Sequence, residues 1–240
     1  MTHFQIKIVS DIICPWCYVG KARLEHAIKL YKDANIPGSA NDTFTVTWHP
    51  FYLDPSLPKT GGVDPKAYLA KKLGGGPERI AMVHARLKAI GEGEDIKFSL
   101  NGRIGNTRNA HRLIQLAKTK SNELENKTAA ALFQLHHEED GDVSSKEYLI
   151  AAAKRAGLDA AEVESWLLDD GDKGGEEVDR EVAEAQRKGI HGVPNFIING
   201  RSELSGAQDP ETFVQEFLRV KAATTGTSDV SERPADGPSC

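Results

Sequence analysis

The chain has few cysteines and no long apolar run, and each of these absences excludes a class of protein. Its 240 residues include three cysteines, at positions 14, 17 and 240. A structural zinc site normally takes four cysteine or histidine ligands, and Cys14 and Cys17 have no second pair at matching spacing. His136 and His137 are adjacent, so on a helix they point about 100° apart. We therefore expect no metal site, and no membrane helix, which would need ~20 apolar residues.

The chain also lacks an excess of basic residues. It has 30 lysines and arginines against 35 aspartates and glutamates, which gives a net charge of -5. This balance gives no reason to expect nucleic acid or an anionic membrane surface as a partner. The first residues lack the basic region, apolar core and cleavage site of a secretory signal. We therefore expect a cytoplasmic protein, and structural disulfides are rare in that compartment.

Cys14 and Cys17 lie where a predicted strand meets a predicted helix. The residues before them alternate in hydrophobicity as in a half-buried strand: Phe4, Ile6 and Ile8. The residues after them repeat at the spacing of one apolar helix face: Leu24, Ala27, Ile28 and Tyr31. Pro15 suits the first helical position, where its missing N–H costs nothing. This pattern places Cys14 at the N-cap and Cys17 one turn further along the helix.

The position at the start of a helix favours the ionised form of Cys14. Unpaired backbone N–H groups and the positive end of the helix dipole favour a thiolate at Cys14, and the thiolate is the nucleophile in disulfide exchange. Cys17 is expected to lie deeper and to attack a mixed disulfide formed on Cys14. The pair therefore predicts a redox-active dithiol, and two inert cysteines are the alternative.

The predicted elements fall into three groups along the chain. A β-α-β unit comes first, and its two strands should be parallel because they are joined by a right-handed crossover. A long helical block follows, and then two strands and a last helix. Asn199 and Gly200, between the last two strands, are the strongest short signal for a hairpin. Neither pair of strands makes a sheet alone, so we expect one mixed four-stranded sheet into which the helical block is inserted.

These groups set the predicted domain boundaries. The sheet domain should comprise residues 1–60 and residues 189–222, and the helical insertion should comprise residues 61–188. Residues 223–240 are rich in threonine, glycine, serine, aspartate and proline, so we expect a disordered tail. Cys240 lies in that tail and is expected to be incidental to the chemistry.

Five stretches of the sequence together resemble one known group of proteins. They are residues 11–20, with the run Cys-Pro-Trp-Cys-Tyr-Val-Gly, and residues 48–55, 106–111, 189–194 and 205–208. With them the chain resembles the thioredoxin superfamily, in particular its DsbA-like branch and the FrnE-like group of cytosolic oxidoreductases. The resemblance implies an α/β, thioredoxin-like fold, in which a mixed four-stranded sheet carries a large all-helical insertion domain.

The resemblance also implies that Pro194 is a cis-proline that faces the dithiol. A cis bond would leave the Val193 backbone free to pair with an extended substrate, and Pro15 and Trp16 would contact the substrate too. From the residues alone, a trans Pro194 that starts a strand stays open, as does a Trp16 that packs against the insertion. Periplasmic DsbA enzymes have a thiolate-stabilising histidine in place of Trp16, so we expect a less oxidising pair than DsbA at ~-120 mV.

Three further residues are candidates for an auxiliary role. Asp11 lies close to the dithiol and could accept a proton, although a turn residue at a strand end is the plainer interpretation. His111 could face the cleft that we expect beside Cys14, between the sheet domain and the insertion, although its helix neighbours suggest core packing. His191, three residues before Pro194, could pass protons to Cys17 or could be an ordinary loop histidine.

The sequence predicts a thiol–disulfide oxidoreductase that acts on protein or small-molecule disulfides. Its redox-active group would be the Cys14–Cys17 disulfide, with no bound cofactor and with glutathione as a candidate co-substrate. A second hypothesis is a glutathione-dependent enzyme like the hydroxychromene-carboxylate isomerases or kappa-class glutathione transferases. Those relatives typically have a serine where Cys14 stands. A third is a non-catalytic binding module, and the oligomeric state is not indicated.

Overall fold

The computed structural model describes residues 1–34, 36–74, 76–168 and 172–226. The elements of the sheet domain are β1 (His3–Ser10), α1 (Pro15–Asp33), β2 (Thr43–Pro50), β3 (Asn195–Ile198), β4 (Ser202–Ser205) and α9 (Pro210–Gly226). The elements between β2 and β3 are α2 (Pro65–Leu73), α3 (Pro77–Gly93), α4 (Arg108–Lys120), α5 (Asn122–His137), α6 (Lys146–Ala156), α7 (Ala160–Leu168) and α8 (Gly175–Arg187). The order of these elements follows the three groups expected from the sequence.

The four strands form one sheet in the order β2-β1-β3-β4. The β1–β2 pair is parallel, and the β1–β3 and β3–β4 pairs are antiparallel. The hairpin turns at Asn199 and Gly200, whose φ angles of 50° and 65° belong to the turn that matches the twist of paired strands. The predicted mixed sheet, interrupted in sequence by a helical block, is therefore confirmed.

The core of the sheet domain lies between the sheet and two helices, α1 and α9. Phe4 on β1 is fully buried, with its ring centroid 5.5 Å from that of Tyr31 and 5.2 Å from that of Phe217. These contacts tie the first strand to α1 and α9. α9 continues to Gly226, so residues 223–226 are helical rather than part of a disordered tail. The rest of the predicted tail, with Cys240, lies outside the described residues.

The helix α5 covers the free edge of β2. The backbone N–H of Trp48 donates to Oε1 of Glu125 at 2.7 Å. The carbonyl of Val46 accepts from the side chains of Asn122 and Asn126 at 2.6 and 2.9 Å. Glu125 is buried, and this burial raises the pKa of its carboxyl. Side chains of the insertion thus satisfy backbone groups that an edge strand would otherwise leave unpaired.

None of the helices in the described ranges has both the length and the apolar character needed to cross a membrane.

Candidate active site

The two cysteines of the site lie at the beginning of α1. Cys14 is the N-cap, and Pro15 occupies the first turn of the helix. The N–H of Cys14 donates to the carbonyl of Asp11 at 3.1 Å, and the N–H of Cys17 donates to the carbonyl of Cys14 at 3.0 Å. The first turn contains no acidic residue, so no side-chain charge within it offsets the positive end of the helix dipole. The local sequence therefore places both sulfurs at the beginning of α1.

The environments of the two thiols differ. Cys14 is 5% exposed, whereas Cys17 has no exposed surface. Burial raises the pKa of the Cys17 thiol well above its ordinary value, and the hydrogen bond and charge of Cys14 raise it further. A buried thiol with a raised pKa keeps its proton. Cys14 is therefore the sulfur that can meet a substrate first, and Cys17 is the one that can follow.

A loop from the far end of the chain closes against Cys14. The Val193–Pro194 peptide bond is cis, and the Sγ of Cys14 lies 3.7 Å from the carbonyl oxygen of Val193. Pro194 is buried. A Cβ added to Gly20 of α1 would lie 2.9 Å from the Phe196 ring and 3.0 Å from Pro194. The absence of a side chain at Gly20 thus lets the dithiol helix pack closely on this loop.

A cavity of about 370 Å³ opens beside Cys14. The first turn of α1 and Val193 line one part of it, α2 and α3 with His84 line another, and the end of α5 contributes His136 and His137. The described lining residues include no lysine, arginine, aspartate or glutamate. Trp16 lines the cavity and also packs against Ile96 and Phe98 of the insertion. This position is compatible with both roles considered for Trp16, contact with a substrate and packing against the insertion. Pro15 lines the cavity as well.

Two of the three auxiliary candidates, Asp11 and His111, lie close together in the protein interior. Asp11 is 1% exposed, and its Oδ2 accepts from the N–H of Leu53 at 2.8 Å. Its Oδ1 has no hydrogen-bond partner among the described residues and lies 3.7 Å from Nε2 of His111. His111 is buried, and its Nε2 donates to the carbonyl of Phe51 at 3.2 Å. His191, by contrast, is exposed in its loop and is not among the residues that line the cavity.

His136 and His137, considered from the sequence only as metal ligands, line the cavity of the site. Both are buried at the end of α5. The Nδ1 of His136 donates to the carbonyl of Gly141 at 3.1 Å, and the Nε2 of His137 donates to the carbonyl of Ile12 at 2.9 Å. Their spacing from Ala129, Leu132 and Phe133 places them on the buried face of α5. That spacing was the available signal, but it is also the spacing of ordinary core residues.

The described residues contain no group of three histidine, cysteine, aspartate or glutamate side chains that could hold a metal ion.

Comparison with known proteins gives consistent matches over nearly the whole chain. The model of the DSBA-like thioredoxin domain matches residues 5–218. The uncharacterized protein YwbO of Bacillus subtilis (strain 168) is 29% identical over 213 residues, which are 87% of this chain and 93% of that protein.

Two solved structures show the same architecture. The crystal structure of the probable DsbA oxidoreductase SCO1869 from Streptomyces coelicolor has 29% sequence identity and a TM-score of 0.81, with coverage of 98% of this chain and 94% of its own. A 2-hydroxychromene-2-carboxylate isomerase has 17% identity and a TM-score of 0.59, with coverage of 95% of this chain and 100% of its own. The second likeness concerns the fold alone.

Proposed function

The chain belongs to the DSBA-like thioredoxin domain family, and on that premise we propose that it catalyses thiol–disulfide exchange through Cys14 and Cys17. The observation that carries this proposal is the arrangement of the two sulfurs. Cys14 borders a cavity at the start of a helix, and Cys17 lies one turn further inside the protein. The name of the S. coelicolor relative, a probable DsbA oxidoreductase, supports the same chemistry.

The reaction proceeds in two exchanges. The Cys14 thiolate attacks one sulfur of a substrate disulfide, a new S–S bond forms, and the second substrate sulfur leaves as a thiolate that takes up a proton. Cys17 then loses its proton and attacks the Cys14 sulfur, which releases the first substrate sulfur as a thiol. The substrate gains two electrons, and the dithiol becomes the Cys14–Cys17 disulfide. The same steps in reverse would oxidise a dithiol substrate.

The second exchange needs a group that accepts the proton of Cys17, because burial raises the pKa of that thiol. We assign this role to Asp11, which precedes the dithiol by three residues. Its carboxylate is buried and has one oxygen without a hydrogen-bond partner among the described residues. His111 beside it would act as a positioning residue for this carboxylate, whereas the exposed His191 would have no part in the step.

The substrate would bind along the face formed by Pro15, Trp16, Val193 and Pro194. The Val193 carbonyl already lies near the Cys14 sulfur, so an extended segment bound to this backbone would bring its own sulfur into line with Cys14. Glutathione as a co-substrate and the cytoplasm as the compartment stay predictions. The glutathione-dependent isomerase or transferase and the binding module remain the alternatives that the following experiment separates.

The proposal is tested with single serine variants in dithiothreitol-coupled insulin reduction. Cys14→Ser should abolish turnover, because it removes the nucleophile. Cys17→Ser, reduced, freed of dithiothreitol and then mixed with insulin, should trap a mixed disulfide on Cys14 that mass spectrometry detects, because no second thiol resolves it. Cys240→Ser is the matched control and should keep the wild-type rate. An unchanged rate in the Cys14→Ser protein, or glutathione conjugation that persists in it, would show that the proposed dithiol mechanism is wrong.

A further inference from the structure

The cavity beside Cys14 has the size of a binding site for a compact chemical group. Its volume of about 370 Å³ falls within the ~300–1,000 Å³ that is typical of ligand sites, which combine an apolar lining with a few polar groups. Most of its lining is aliphatic or aromatic, including Trp16 and Tyr68. An apolar aromatic group fits such a lining, because flat rings bury large area against other rings and aliphatic side chains.

A charged group does not fit this lining. No lysine or arginine is among the described residues that border the cavity, so a carboxylate that entered it would lose its hydration without gaining a cationic partner. The three histidines that line the cavity do not supply that charge. Burial lowers the pKa of His136 and His137, and burial with the charges of Lys88 and Lys66 lowers the pKa of His84. The cavity therefore selects an uncharged group.

The histidines offer hydrogen-bond acceptors instead. Because carbonyl oxygens only accept, the proton of His136 lies on Nδ1, facing Gly141, and that of His137 lies on Nε2, facing Ile12. The other nitrogen of each neutral ring carries a lone pair. Each ring has this one hydrogen-bond partner among the described residues. Two acceptors thus remain on rings that border an apolar cavity.

We propose that this cavity binds an uncharged aromatic group with a hydroxyl donor, a phenol, next to the sulfur of the disulfide substrate. The phenol ring packs against the apolar lining, and its hydroxyl donates to His136 or His137. This inference rests on the proposed exchange function and names the substrate class for it. The phenol can belong to a free aromatic disulfide or to a tyrosine beside a cystine in a peptide.

The binding step is tested without redox chemistry, in the Cys14→Ser/Cys17→Ser protein, with the reduced wild type titrated in parallel. The probes are 4-ethylphenol, ethylbenzene and 4-ethylbenzoate, followed by the histidine ring ¹⁵N signals. The phenol should bind about fivefold more tightly than ethylbenzene, the factor that one net hydrogen bond of ~1 kcal/mol gives, and should move the signal of an unprotonated ring nitrogen. Equal affinities, tightest binding of the benzoate, or unmoved ring signals would overturn the inference.

Two conservative variants test the histidines themselves. His136→Asn and His137→Gln keep an N–H donor toward Gly141 and Ile12 but remove the ring acceptor. One of them should reduce the phenol preference to that of ethylbenzene. His26→Gln, at an exposed position of α1, is the control and should keep the preference. A preference that survives in both cavity variants would show that the histidines do not recognise the hydroxyl.

Turnover rates distinguish the two sources of the phenol, a free aromatic disulfide and a tyrosine beside a peptide cystine. The wild type is given bis(4-hydroxyphenyl) disulfide against diphenyl disulfide, and a peptide cystine flanked by tyrosine against the same peptide with phenylalanine. A faster reaction of either hydroxylated member supports the inference and identifies the source, and no difference in both pairs overturns it. Selective phenol binding without any disulfide turnover would overturn the proposed function alone, whereas turnover without phenol selectivity would overturn this inference alone.

Discussion

The residues around the cavity fall into two regions that differ in how deeply they are buried. The dithiol wall, defined as the first turn of α1 with Val193 and Pro194, continues directly into the core of the sheet domain through Cys17, which is fully buried. The covering wall, defined as α2 and α3, is shallower. Of the nine residues of α2, only Pro65 is buried, and Met82 of α3 is 70% exposed.

Under the proposed function, this difference would separate the residues that carry the chemistry from those that select the substrate. Core packing holds the dithiol wall in one arrangement, as a reacting sulfur requires. The covering wall makes fewer buried contacts, and such regions open at lower free-energy cost than the core. We therefore expect changes in the dithiol wall to alter rates and global stability, and changes in the covering wall to alter mainly which substrates bind. The predictions below test this division, from the largest expected effect to the smallest.

Among variants that keep the Cys14 nucleophile, the largest effect is expected from Cys17→Ser. Its steady-state turnover should fall by about three orders of magnitude or more, because the mixed disulfide on Cys14 has no resolving thiol. Its first exchange should still occur, since Cys14 is intact. Stopped-flow measurement of one turnover against steady-state rates checks both statements. A steady-state rate close to that of the wild type would break the assignment of the dithiol wall to chemistry.

Leucine truncation compares the two walls through stability. Leu24 of α1 lies in the core that supports the dithiol wall and is 1% exposed, so Leu24→Ala should lower the free energy of unfolding by ~2–5 kcal/mol, the range for a buried leucine. Leu87 of α3 is 5% exposed but borders the cavity, so Leu87→Ala should cost ~2 kcal/mol, near the lower end of that range. Chemical denaturation measures both, and a larger loss for Leu87→Ala would reverse the comparison.

The same substitution at two glycines should have opposite signs. Gly20→Ala would bring its Cβ to 2.9 Å from the Phe196 ring, and we expect overpacking to cost ~1–3 kcal/mol. Gly93 ends α3, is exposed, and would meet no atom within 4 Å. Gly93→Ala should therefore stabilise the protein by up to about 1 kcal/mol. Thermal melting distinguishes the two, and a stabilising Gly20→Ala would contradict the close packing inferred at the dithiol wall.

The smallest effect concerns the attachment of α2. Hydrogen bonds from Ser56 and Lys72 lower the pKa of Asp54 to about 2, and Lys72 Nζ lies 2.9 Å from Asp54 Oδ2. A pKa below the unfolded value of ~3.9 means that this stabilisation is present above pH ~4 and is lost as the pH falls toward 2. Amide exchange in α2 should rise over that range.

Asp54→Asn is the control for this pH effect. In that variant the amide exchange of α2 should already be faster at pH 6, and the additional rise between pH 4 and pH 2 should be smaller than in the wild type. An identical pH dependence in the two proteins would show that another group holds α2 in place.

The sequence predicted those parts of the molecule that depend on local patterns. The Cys-Pro-Trp-Cys junction and the Asn199-Gly200 hairpin each follow from spacing and turn chemistry within a few residues. The mixed sheet followed from the order of the predicted elements, because neither pair of strands makes a sheet alone. The place of Val193 beside Cys14 could be anticipated only through a family resemblance, because 179 residues separate the two positions. Nothing local to Val193 indicates which helix it will meet.

A cleft beside Cys14 follows from the inserted helical block, but its lining and its histidines could not be predicted, for a physical reason. His136 and His137 follow the apolar spacing of α5, and that spacing is the same whether a face packs against a neighbouring helix or borders a cavity. The difference arises only when α2 and α3 are placed over the dithiol, which depends on tertiary packing. For the same reason, the buried Glu125 gave no signal that it would pair with the backbone of β2.

That cover on β2 has a consequence for a protein that would handle other polypeptides. Exposed sheet edges recruit foreign strands and thereby seed aggregation. With Glu125, Asn122 and Asn126 occupying the β2 side, the opposite border is β4, only four residues long. Under the proposed function, a partly unfolded client chain would therefore find only this short edge open to adventitious strand addition.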